Sequence, residues 1–161
     1  MPLKTAECIE SLVEERLPFW LRVMGLSDPE RIRNMIEPLR IPEPLLPPAL
    51  EVPQRPRVDC LGDALLVVLH RLRFARSPLH LISSQMGFLL LPQKLITFEE
   101  APSGEAFPRL IEWLQQQGPC GDDHDLDDIL HYLVDESLDD IFPMLEQISN
   151  RLDDLEEAVL D

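Results

Sequence analysis

The sequence predicts an α/β domain: a mixed, largely antiparallel sheet flanked by helices, with a long acidic helix at its C-terminal end. Three observations point there. Between residues 57 and 99, apolar runs of strand length are separated by Gly-Asp and Pro-Gln turn signals. Segments with helix start and stop signals lie on either side of those runs. From about Asp122 onward, apolar residues recur at steps of three and four, the spacing of a helix face.

Taken in order, Thr5–Leu17 reads as a short helix ended by Pro18. Phe19–Met24 alternates as a strand. Ser27-Asp28-Pro29-Glu30 is a helix start, with a capping residue followed by proline at the first helical position, and that helix should reach about Glu37. Residues 38–56 hold seven prolines, which restricts them to turns and short helical pieces. Arg57–Cys60 and Ala64–Ala75 read as strands joined at Gly62-Asp63, with Leu65–Leu69 continuously apolar as in a strand covered on both faces. His70 falls on a sheet face, where a lone histidine is a poor ligand candidate. Leu79–Leu91 and Leu95–Glu99 form a hairpin about Pro92-Gln93-Lys94. Gly104–Gln117 is a helix with Phe107, Leu110, Ile111 and Leu114 on one face, stopped by Gly118-Pro119.

The C-terminal segment carries Leu126, Leu130, Val134, Leu138, Ile141, Leu145, Ile148, Leu152, Leu155 and Val159 in a seam repeating every ~3.5 residues. Pro143 interrupts it, at a cost of ~3 kcal/mol unless a kink absorbs the clash. At 100° per residue, Asp128, Asp135, Asp139, Glu146, Asn150, Asp153 and Glu157 fall on one stripe about 60° wide, centred more than a third of a turn from the seam. Carboxylates three or four apart repel by a few tenths of a kcal/mol each, so the stripe serves either solubility or cations. Oxygen-only ligands suit Mg²⁺ or Ca²⁺, but one helix offers ligands from one side, and a tight site needs a second surface. His124 and Asp128, four apart, are a weaker candidate pair for Zn²⁺ or Co²⁺.

The net charge of −16 is unevenly spread. Residues 1–118 carry 13 Lys/Arg and 15 Asp/Glu, whereas residues 119–161 carry one Arg and 15 Asp/Glu. The chain therefore divides into an α/β domain over 1–118 and an acidic helical arm over 119–161. Such an arm repels phosphate backbones, which argues against nucleic-acid binding. The three cysteines are scattered with no CxxC pair, as in free thiols of a reducing cytoplasm. No secretory leader is visible, and the longest apolar runs fall far short of the ~20 residues of a membrane-spanning helix. No phosphate-binding Gly loop, nucleophile elbow or Cys/His arrangement is present, so an enzyme is not expected. The crowding of Asp153, Asp154, Glu156, Glu157 and Asp161 at the negative end of the helix, without a glycine cap, suggests that the helix continues in a longer protein.

Several stretches, in order, resemble the soluble domain of the CorA family of divalent-cation channels. They are FWLRVMGL, LRIPEPLL after the helix Asp28–Glu37, PQRPRVDCLGDALLVVLHRL, SSQMGFLLLPQKLITFEE, and LVDESLDDIFPMLEQISNRLDDLEEAVL. Together they span residues 17–160. The resemblance implies α/β/α layers and a homopentamer with its soluble domains on the cytoplasmic side of the inner membrane. It implies a long helix leading to two membrane-spanning helices and a Gly-Met-Asn signature, which this chain does not contain. It also implies regulatory Mg²⁺ between neighbouring subunits, with Co²⁺ or Zn²⁺ as alternatives. The family's acidic pair before the Gln-Arg-Pro run falls on Pro47 and Pro48, with Glu43 or Glu51 as nearby substitutes. Its helix aspartate falls on Asp135. The candidate metal ligands are thus Asp135, Asp139 and Asp128. Two functions stand side by side: a cytoplasmic regulatory and assembly domain of a Mg²⁺/Co²⁺ transporter, and a free-standing soluble cation-binding or interaction module of the same fold.

Overall fold

The computed structural model describes residues 3–5, 19–74, 81–100, 107, 110, 112, 126–139 and 141–160. Six strands form one sheet in the order β1-β2-β6-β5-β4-β3. They are β1 (Leu3–Thr5), β2 (Phe19–Met24), β3 (Arg57–Leu61), β4 (Ala64–Phe74), β5 (Leu81–Leu91) and β6 (Lys94–Glu99). The run β3-β4-β5-β6 is antiparallel throughout, whereas β1, β2 and β6 are mutually parallel. The sheet is therefore mixed and largely antiparallel, as expected. The α-helical segments among the described residues include α1 (Pro29–Ile36), α2 (Leu46–Leu50), α3 (Leu126–Asp139) and α4 (Ile141–Leu160).

Alternation along the strands splits the interior into two cores, one on each face of the sheet. Phe19, Leu21 and Val23 of β2, Leu66 and Val68 of β4, Leu89 of β5 and Ile96 and Phe98 of β6 face α1 and α2, which contribute Ile32, Ile36, Ala49 and Leu50. Their neighbours Trp20, Met86, Phe88 and Leu95 face the other way, onto Phe107, Leu110 and the Leu126, Ile129, Leu130 and Leu133 side of α3. Three layers result, with Leu65, Val67 and Leu69 packed against the second core, so the continuous apolar run of β4 is covered on both faces.

The turns follow from local chemistry. Gly62 takes φ +58° between β3 and β4, and Gln93 takes φ +64° after Pro92 between β5 and β6. Proline followed by a residue of positive φ is the type II turn pattern. α1 begins as the sequence predicts: Asp28 Oδ1 accepts from the Arg31 N–H at 3.0 Å, and Pro29 opens the helix. Asp28→Ala should destabilise the domain by about 1 kcal/mol, measured as a lower urea midpoint at unchanged slope. The edge strand β3 is blunted by charge: the Arg57 guanidinium lies 2.7 and 2.6 Å from the two Asp59 oxygens, which holds Arg57 above its ordinary pKa.

One departure from the sequence reading falls at the N-terminal end. Thr5 belongs to a strand and not to a helix start; the rest of the expected helix Thr5–Leu17 lies outside the described residues, as does most of Gly104–Gln117. The acidic arm is helical over Leu126–Asp139 and Ile141–Leu160, the long C-terminal helical segment that was expected, with residue 140 outside the described residues.

A buried ion pair ties β2 to β6. Arg22 Nε lies 2.8 Å from Glu99 Oε1 and Arg22 Nη2 lies 3.0 Å from Oε2, with side-chain exposures of 6% and 1%. Beside it, Trp20 Nε1 donates to Thr97 Oγ1 at 3.3 Å. These four residues form a polar row on the face that carries the second core.

Candidate functional site

The acidic arm is held to the sheet through one face of α3. Leu126, Ile129, Leu130 and Leu133 are buried there, and Ser137 is buried with its hydroxyl donating to the Leu133 carbonyl at 2.7 Å. Burial of one face fixes the other toward solvent. Asp127, Asp128, His131, Tyr132, Asp135 and Asp139 are all exposed. Along the predicted seam, burial fades with distance from the sheet. Leu126 and Leu130 are in the core, and Leu138 is 42% exposed. On α4, Met144 is the only buried residue among those described, whereas Leu152 and Leu155 are 60% and 62% exposed.

The candidate ligands Asp128, Asp135 and Asp139 share the solvent side of α3. The remaining stripe residues, Glu146, Asn150, Asp153 and Glu157, are exposed on α4. Asp135 and Asp139 are one turn apart and can present two carboxylates to one hydrated ion; Asp128 lies two turns from Asp135. Among the described residues, no three His, Cys, Asp or Glu side chains converge as a metal site. Carboxylate oxygens are donors of the kind that suits a hard ion keeping most of its waters. His124 lies outside the described residues. Of the substitutes for Pro47 and Pro48, Glu43 is engaged by Arg33 at 2.8 Å, and Glu51 is exposed. Pro47 is half-buried and Pro48 is buried in α2.

Two buried polar groups were not singled out by sequence reasoning. One is the Arg22–Glu99 pair. The other is Gln85 of β5, fully buried, whose side-chain amide binds the backbone of the segment after α2. His70 joins that contact, with Nδ1 2.9 Å from Ser83 Oγ and Nε2 2.6 Å from the Gln54 carbonyl.

No described helix is long and apolar enough to cross a membrane. Residues 18–161 match the family model described as CorA-like Mg2+ transporter protein, and the chain belongs to that family. It is 28% identical over 156 residues to the cobalt/magnesium transport protein CorA of Thermotoga maritima, a match that covers 92% of this chain and 44% of the relative. Its fold is similar to the ZntB cytoplasmic domain of Vibrio parahaemolyticus, with a TM-score of 0.65 at 18% identity over 84% of this chain and 53% of that one. It is also similar to the soluble domain of CorA from Methanocaldococcus jannaschii, with a TM-score of 0.62 at 17% identity over 88% of this chain and 55% of that one. The chain thus spans about half the length of these relatives.

Proposed function

We propose that this chain is the cytoplasmic regulatory and assembly domain of a CorA-like Mg²⁺/Co²⁺ transporter that works as a homo-oligomer, a pentamer by family resemblance. The observation that carries the reading is the solvent-facing carboxylate side of α3 within a CorA-family domain. In this reading the sheet and its two helical layers are the rigid body, and α4 is an arm directed toward the membrane-spanning part of the longer protein. Asp135 and Asp139, with Asp128 two turns away, attract a hydrated divalent ion whose coordination is completed by a neighbouring copy. An ion shared in this way holds two copies together while it is bound, so its loss at low concentration frees them to move. Regulation by the transported ion requires only that the two arrangements of the assembly differ in affinity for it. The module binds, and no bond is made or broken in it.

The test is thermal unfolding with 10 mM MgCl₂ against NaCl of equal ionic strength. A site of millimolar affinity raises stability by about 1.4 kcal/mol, which shifts the midpoint by roughly 2–8 °C. Asp135→Asn with Asp139→Asn should abolish the difference. Equal midpoints in the two salts would reduce the acidic face to solvation and leave the regulatory reading without support.

A further inference from the structure

We infer that the segment after α2 is latched to the sheet by an amide and an imidazole side chain, independently of divalent cations. Gln85 is a primary amide with no exposed surface in the middle of the sheet. A buried amide is costly unless both of its ends are bonded. Here both ends are used on one stretch of backbone. Gln85 Oε1 accepts the Gln54 N–H at 2.7 Å, and Gln85 Nε2 donates to the Glu51 carbonyl at 3.2 Å. Donor and acceptor geometry at two points three residues apart select one path for residues 51–54.

His70 closes the other side. The Gln54 carbonyl can only accept, so the Nε2 atom 2.6 Å away carries the proton, and Nδ1 meets Ser83 Oγ at 2.9 Å. That pairing survives in either charge state of the ring, because the serine hydroxyl can donate to neutral Nδ1 or accept from protonated Nδ1–H. Both amide and carbonyl of Gln54 are therefore held by side chains of β4 and β5. Gln85 is itself anchored: its backbone N–H donates to Glu100 Oε2 at 2.6 Å, and its carbonyl accepts the Glu100 N–H at 3.0 Å. The Glu51 N–H donates to the Pro47 carbonyl at 2.9 Å, which continues the path into α2. Every side chain that touches residues 51–54 in these bonds is an amide or an imidazole, so no ion is needed to order them.

The experiment is amide hydrogen exchange on the full chain, read at Gln54 and at β4 and β5 amides, with and without 10 mM MgCl₂. Gln54 protection should be the same in both conditions. Gln85→Leu should accelerate exchange at Gln54 by about tenfold or more, while β4 and β5 amides keep their protection. His70→Phe, at a half-buried position that tolerates a ring, should accelerate Gln54 exchange alone and serves if Gln85→Leu does not fold. Protection at Gln54 that rises with Mg²⁺, or that is unchanged in His70→Phe, would overturn the latch. Because the readout is local, this result is separable from the magnesium-dependent midpoint above.

Discussion

Arg22→Met should destabilise the domain by roughly 3–5 kcal/mol, a large part of the ~5–15 kcal/mol that keeps a domain of this size folded. The reason is the state in which it leaves Glu99. That carboxylate is 1% exposed, and two guanidinium nitrogens at 2.8 and 3.0 Å account for both of its oxygens. Removing the cation leaves a buried charge with no compensating partner. The double variant Arg22→Met with Glu99→Met should recover most of the loss, because replacing a buried pair by apolar groups of similar length is often neutral or better. Urea unfolding of the two single variants and the double variant checks this as a cycle. A double variant as unstable as Arg22→Met would mean that the pair's surroundings, and not the orphaned charge, set the cost.

Leu133→Ala should cost roughly 2–5 kcal/mol, whereas Leu152→Ala, the same change in the same apolar seam, should stay within about 0.5 kcal/mol. Leu133 has no exposed surface and packs with Trp20, Phe88 and Leu95, so truncation opens a cavity between α3 and the sheet. Leu152 is 60% exposed on α4, with little contact to lose. Circular dichroism melts of the two variants distinguish a helix layer integral to the domain from an arm that leaves it. Equal losses would show that α4 is packed as firmly as α3.

Much of this architecture was legible because it follows from local rules. The cap at Asp28, the turns at Gly62-Asp63 and Pro92-Gln93, and the alternation of β2 each depend on a few neighbouring residues. What was hidden depends on partners far along the chain. Arg22 alternates with Leu21 and Val23 and reads as solvent-facing; only the parallel register that brings Thr97 opposite it, with Glu99 two residues further on, makes it a core residue. β1 is three residues long and has no meaning without β2 beside it. Gln85 looks like an ordinary polar strand position until the backbone of residues 51–54 is laid over it. For the candidate site, helical spacing was sufficient to place Asp128, Asp135 and Asp139 on one exposed side. Convergence of ligands from a second surface is not encoded in one helix and could not be read from it.

The adjacency of β2 and β6 also bears on how the chain reaches this state. Trp20 and Thr97 touch across a separation of 77 residues, while β3 to β6 are linked as successive hairpins. The hairpins can zip from their turns, but the N-terminal strand must wait for that template and close a long loop onto it. Closure of that kind slows folding relative to locally connected proteins. Shortening the path, by a permuted chain that joins the end of β6 to the start of β2 through a crossover linker of about a dozen residues or more, as parallel neighbours require, should therefore quicken refolding more than it alters equilibrium stability.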